Sequence, residues 1–306
     1  MKLGVMVGGQ SFNGDLEDLV GWGRDLEAHG FDTLWIPQVF GLDAIVVAAV
    51  VGRETRRIEL GTSVVPTQPR HPTAMAQQAV AASLAAQGRF TLGIGLSHPP
   101  VIEKMLGLSY ARRVAHMREY VEVLLPMLEG KPVRFAGAEF AVDFPTRFPQ
   151  SPRVPLLLAA LGDRMLELAG SRTDGTLLWM VGPRTIESHI APKIRRAAAA
   201  AGRPSPRIVA GVHVALVSDA DAARAKLEQM LGMYRMMPSY AAMLDRERAS
   251  SIADVALVGD EAMLDAGLRR LRDLGVTDFE ASILAVDDGA ERRTLDFLAS
   301  RIAALR

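Results

Sequence analysis

The sequence predicts one domain over residues 1–306, an α/β fold of the (β/α)8 TIM-barrel type, and three observations predict it. Eight short β-type runs recur along the chain, and most are almost continuously apolar, the pattern of parallel strands buried on both faces. The stretches between them have helical spacing with start and stop residues at their ends. No linker or low-complexity stretch divides the 306 residues, 49% of them hydrophobic, so eight β-then-α units fit one barrel better than two doubly wound domains.

In chain order the strand candidates are LGVMV (3–7), TLWIP (33–37), IELGTSVV (58–65), FTLGIGL (90–96), VPLLLAAL (154–161), TLLWMV (176–181), IVAGVHVALV (208–217) and FEASILAV (279–286). The first helix follows from the stripe Leu16, Leu19, Val20, Gly23 and Leu26, with Asn13 as its cap and Gly30 as its stop. A later one follows from Val114, Met117, Val121, Leu124 and Leu128, capped by Ser109, stopped by Gly130 and kinked near its end by Pro126. Another runs through Met263, Leu264, Gly267, Leu268, Leu271 and Leu274 to Gly275. The longest departures from the repeat, about 130–153 and 225–258, are expected as insertions over the mouth of the barrel. The second carries Met230, Met233, Met236, Met237 and Met243, a stripe that fits either a lining of the mouth or a helix core.

Composition excludes several functions. Thirty-five basic and 35 acidic side chains leave no net field to attract nucleic acid or an anionic membrane, so a small molecule is the expected partner. With no cysteine there is no disulfide, thiolate metal site or cysteine nucleophile, and redox chemistry would need a cofactor. The six histidines show no metal spacing, so no metal is expected, and His213, inside an apolar run, is expected to be a satisfied core residue. Met1 and Lys2 lead directly into LGVMV, too short for a signal peptide, and no stretch reaches the roughly 20 apolar residues of a membrane span. A cytoplasmic protein is the expectation.

In such a barrel the site lies at the C-terminal ends of the strands. Those ends read Gly8-Gly9, Pro37-Gln38, Thr62-Ser63-Val64, Gly95-Leu96-Ser97-His98, Ala159-Ala160-Leu161-Gly162 and Trp179-Met180. They are small and nearly uncharged, as a flat aromatic ligand lying on backbone requires. Two competing motifs fail at single positions: His98 replaces the last glycine of a dinucleotide loop, and Pro99 the closing glycine of a hydrolase elbow at Ser97. Arg112 and Arg113 either reach an anionic ligand tail or stand solvated, and Trp179 either lines the mouth or fills the rim.

The stretch ELGTSVVPTQPRHPTAMAQQAVAASLAAQGRFTLGIGLSH resembles the third- and fourth-strand region of the luciferase-like flavin and deazaflavin oxidoreductases. LEAHGFDTLWIPQVFGLDA and PLLLAALGDRMLELAGSRTDGTLLWMVGPRTI are similar to the second-strand and fifth-to-sixth-strand regions of the branch that uses coenzyme F420. The resemblance implies hydride transfer between the C5 of F420 and a small organic substrate. An FMN-dependent monooxygenase and a cofactor-binding barrel without turnover stand as alternatives. It also implies a homodimer and a cis peptide between Ser63 and Val64 against which the ring lies, with Thr62 beside them. Gln38 and His98 are the catalytic candidates, although Gln38 stands where relatives commonly carry histidine and cannot act as an acid or base near neutral pH. Gly95, Leu96, Ser97 and His98 are matched to the ribityl side of the cofactor. Ala159, Ala160, Leu161 and Gly162 are matched to its phosphate, which would meet the helix start after Gly162.

Overall fold

The structure is a computed structural model that describes residues 1–7 and 15–306. Its barrel strands are β1 (Lys2–Met6), β2 (Thr33–Ile36), β3 (Glu59–Thr62) continued by β4 (Val65–Pro66), and β5 (Phe90–Gly95). A β6–β7 hairpin (Val133–Ala136, Ala141–Phe144) precedes β8 (Leu156–Ala159), β9 (Gly175–Trp179), β10 (Arg207–Leu216), β11 (Leu257–Gly259) and β12 (Asp278–Ile283). Parallel pairing runs β1-β2-β3-β5-β8-β9-β10-β12 and returns to β1, which closes an eight-stranded barrel. Each expected strand is present. The hairpin occupies the first expected insertion and pairs antiparallel. The second holds helices Ala220–Leu231 and Pro238–Glu247 and ends in β11, a strand the apolar pattern is too short to announce, which pairs with the C-terminal end of β10.

Alternation along the strands divides the core in two. Leu3, Val5, Leu34, Ile36, Leu60, Leu92, Leu158, Leu178, Val212 and Phe279 face the helix layer. Met6, Trp35, Leu157, Leu177 and Val209 fill the inside of the barrel, with Val64 and Trp179 against them. Trp35 explains two glycines, because a Cβ at Gly4 would lie 2.7 Å from its indole and one at Gly61 only 2.3 Å. No helix of the described residues is long and apolar enough to cross a membrane.

Two expected caps are replaced. Asn13 and the pair Gly8-Gly9 lie outside the described residues, and helix Leu16–Ala28 is capped by Asp15, whose carboxylate accepts from the Asp18 N–H in a capping box. Ser109 accepts from the Ala111 N–H and stops there, because the helix it was expected to cap begins only at Arg113, preceded by Arg112 in the left-handed region at φ 52°. Pro126 lies inside that helix, and Gly130 follows its end at φ 73°. Met230, Met233 and Met236 are exposed, while Met243 is buried, so the methionines form no single stripe.

Candidate active site

Three consecutive residues at the end of the third barrel strand are small for three different reasons. Gly61 makes room for Trp35. Thr62 is wholly buried and clamps the neighbouring strand, its hydroxyl donating to the Gly93 carbonyl at 2.9 Å and accepting from the Gly93 N–H at 2.8 Å. Only Ser63 turns into the mouth, where the Ser63–Val64 peptide is cis and interrupts the strand. Smallness here therefore reports packing at two positions and the site at one. Gly93 and Gly95 obey the same rule: a Cβ would strike the Thr62 carbonyl at 2.0 Å in the first and the Val64 side chain at 2.6 Å in the second.

Above this layer opens a cavity of about 580 Å³ at the C-terminal ends of the strands. Ser63 and Val64 lie on one side, Gly95 to His98 follow from β5, and Ala159 to Gly162 from β8. Ten of the twelve residues expected at the site therefore come together, and Gln38 and Thr62 do not line the cavity. The Gln38 amide oxygen accepts from the Ala44 N–H at 2.9 Å, which ties it to the start of helix Ala44–Glu54. Of the two arginines, Arg113 lines the cavity, whereas Arg112 is exposed and pairs with Glu139 at 3.0 Å. Trp179 lines it too. Sequence reasoning missed Tyr110 and Tyr240, because aromatic residues on a loop and in an insertion show no period that would place them at a strand end, and Arg164, which reads as an ordinary charged residue of a helix's first turn.

The anion-binding corner is the start of helix Asp163–Arg172. Its N-cap is Gly162 in extended backbone (φ −87°), with no side chain capping the helix. The cap therefore leaves first-turn N–H groups available at the positive end of the helix dipole. A Cβ at Gly162 would meet nothing within 4 Å, so the space beside it belongs to the cavity. Asp163, the one acid in that turn, lines the cavity with Arg164 but carries Lys193 as its ion-pair partner. A cradle that a Cβ would fill, an uncapped helix start and two arginines fit a phosphorylated cofactor.

Around the opposite wall His98 packs against Tyr234 and Tyr240, ring centroids 6.2 and 5.9 Å away, and Tyr110 donates to the Ser97 carbonyl at 3.0 Å. Ser97 sits in the left-handed region at φ 57°. Burial pushes the His98 pKa below its ordinary value and those of Tyr110 and Tyr240 above theirs, so all three are neutral near pH 7. His213 corrects an expectation. It is buried against Trp179 (5.1 Å, edge-on), but neither ring nitrogen has a partner in hydrogen-bond geometry among the described residues. Burial takes its pKa down to about 4, so it is a neutral, unsatisfied imidazole. No cluster of metal-ligating side chains occurs among the described residues.

Comparison with known proteins agrees with this geometry. The chain is 27% identical over 250 residues to a 5,10-methylenetetrahydromethanopterin reductase of Methanolobus tindarius, covering 79% of this chain and 74% of the relative. It is 28% identical over 242 residues to an F420-dependent glucose-6-phosphate dehydrogenase of Kineococcus radiotolerans, covering 74% and 70%. Its fold superposes on the coenzyme F420-dependent tetrahydromethanopterin reductase of Methanopyrus kandleri with a TM-score of 0.84 at 19% identity, over 99% of this chain and 98% of the other. The family model described as luciferase-like monooxygenase matches residues 1–278, and the chain belongs to that family.

Proposed function

We propose that the chain is a coenzyme F420-dependent oxidoreductase that moves a hydride between the deazaflavin C5 and a small organic substrate. The observation that carries this reading is the cavity itself: a platform at Ser63 and Val64 joined to an open, uncapped helix start at Gly162, with arginines beside it. The platform suits a flat ring and the helix start suits its phosphate, and the dehydrogenase relative named for F420 matches 74% of this chain.

When bound, the deazaflavin supplies two-electron hydride chemistry, with carbon in place of the flavin N5. The protein's own residues do the rest. First-turn N–H groups of helix Asp163–Arg172, with Arg113 and Arg164, hold the anionic end. Val64, Ala159 and Trp179 exclude water from the inner wall. His98, neutral and in a partly buried aromatic setting, is the residue that accepts or returns a proton, and Tyr110 and Tyr240 keep their protons. Gln38 serves by fixing the start of helix Ala44–Glu54 and takes no part in proton transfer. The substrate is a small organic molecule, and Tyr240 and Met243 of the second insertion line the cavity that receives it. A cytoplasmic homodimer is part of the proposal, supported by the exposed apolar group Val39, Phe40, Leu42 and Val46, and light scattering tests it.

Fluorescence titration with F420 and separately with FMN tests the reading. The expected outcome is micromolar or tighter F420 binding and FMN at least about tenfold weaker, a difference of roughly 1.4 kcal/mol. Equal or better FMN binding moves the chain to the flavin monooxygenases of its family. F420 binding with no reduction by any donor leaves a cofactor-binding barrel without turnover.

A further inference from the structure

Among the described residues, Glu280 is the one carboxyl of the barrel strands bonded to the floor of the cavity, in the middle of β12 with Asp278 below it and Ser282 above. It is 0% exposed. Its strand neighbours opposite are both glycines, Gly4 on β1 and Gly211 on β10. A Cβ at Gly211 would come within 2.9 Å of Glu280 Oε2, so the glycine leaves the room that the carboxyl occupies.

Its surroundings offer almost nothing to a charge. Oε2 lies 3.0 Å from Ser63 Oγ, and Oε1 has no partner among the described residues. On β1 the inward neighbours are Gly4 and Met6, on β9 Leu177 and Trp179, and on β3 Gly61 and Ser63, none of them charged. On β10 His213 stands above as a neutral imidazole, and Arg207 below is held by Glu59 and Asp278. Glu280 makes no ion pair among the described residues. An orphaned carboxylate oxygen in such a place costs several kcal/mol more than an orphaned carbonyl oxygen, so the proton stays, and it stays on the oxygen that has an acceptor, Oε2.

The contact with Ser63 works in either direction, and the direction decides what the cavity meets. A carboxylate only accepts, so an ionised Glu280 would hold the Ser63 proton and leave only lone pairs facing the ligand. A carboxylic acid donates to Ser63 Oγ and releases the serine proton to point elsewhere. Ser63 is hydrogen-bonded to Glu280 and also lines the cavity, so it relays the choice to the ligand.

We propose that Glu280 is a positioning residue which, held as the neutral acid, donates to Ser63 Oγ and turns the Ser63 hydroxyl into a hydrogen-bond donor toward the bound cofactor ring. The inference rests on the F420 reading above. Burial, opposed only by the Ser63 hydrogen bond, raises the Glu280 pKa to about 8, which sets the pH at which the donor is lost.

The test compares wild type with Glu280→Gln, whose amide donates to Ser63 and never ionises. F420 dissociation constants are measured by fluorescence from pH 6 to 9, with FMN-free protein. Wild type is expected to lose about five- to tenfold in affinity across pH 8 beyond whatever the variant loses, the effect of one hydrogen bond. Infrared spectra of ligand-free wild type are expected to show a protonated-carboxyl band at pH 7 that fades above pH 8 and is absent in the variant. Parallel pH profiles in the two proteins overturn the donor role alone, as does absence of the band at pH 7. Failure of wild type to bind F420 at any pH overturns the cofactor reading and the donor role with it.

Discussion

The two ends of the barrel interior are built from similar residues and treat them in opposite ways. At the N-terminal end Arg207 holds Glu59 at 2.9 Å and Asp278 at 2.6 Å, Lys2 holds Glu59 at 2.8 Å, and Thr277 donates to Asp278. Burial pushes the Glu59 carboxyl up, and Arg207 and Lys2 more than offset it, so it ends below the usual range. Every charge has its partner. At the C-terminal end Glu280 Oε1 and both nitrogens of His213 have none among the described residues. Paired charges hold the chain together, and an unpartnered titratable group beside a cavity is a candidate for completion by another molecule. The cavity lies over the open end.

The largest effect is expected from breaking the closed end. Arg207→Met leaves two mostly buried carboxylates without their shared cation, at a cost of about 3–5 kcal/mol. The melting temperature should fall by roughly 5–8 °C, while F420 affinity measured well below the transition stays within about twofold. Weakened binding with an unchanged melting temperature would erase the division between the two ends.

A second effect comes from the open end and has a definite sign with pH. The Glu280 pKa is raised from an ordinary 4.5 to about 8, so between those values the folded chain holds a proton that the unfolded chain has released. Stability from this group is therefore full below pH 4.5, falls as pH rises, and levels off above 8, with a slope of at most about 1.4 kcal/mol per pH unit. Glu280→Gln removes the slope, so its advantage in thermal stability over wild type should grow steadily from pH 5 to pH 8. A difference that stays flat would mean that Glu280 is charged in the fold.

The barrel was legible because parallel strands buried on both faces leave continuous apolar runs, and all eight runs became strands. The lining of the candidate site was legible at small strand-end residues such as Ser63 and Gly162, which do border the cavity. Smallness that serves packing is not legible in this way: Thr62, expected beside the ring, clamps Gly93, and Gly61 yields to Trp35, a residue 26 positions away that no local pattern links to it. Gln38 was named from its match to a position where relatives commonly carry histidine, and in the structure its amide oxygen accepts from the start of the next helix, outside the cavity lining. Glu280 was visible as a lone carboxyl within FEASILAV, a signal that only acquires meaning when Gly4 and Gly211 flank it in the closed sheet.

The smallest effect is also the cleanest comparison of the two ends, because it should touch binding alone. Gly162 is not required by its backbone, which is ordinary extended chain, nor by its neighbours, since a Cβ there meets nothing within 4 Å. Gly162→Val should therefore leave the melting temperature within about 2 °C of wild type, the shift expected from less than roughly 1 kcal/mol. The same valine methyls would occupy the space from which a phosphate reaches the first-turn N–H groups, and F420 affinity should fall about tenfold, or roughly 1.4 kcal/mol. A truncated cofactor without its phosphate separates sterics at the helix start from a general disturbance of the cavity: it should bind wild type and variant equally. If intact F420 also binds both equally, the phosphate is held by Arg113 or Arg164 instead, and the open helix start is a feature of packing like Gly61.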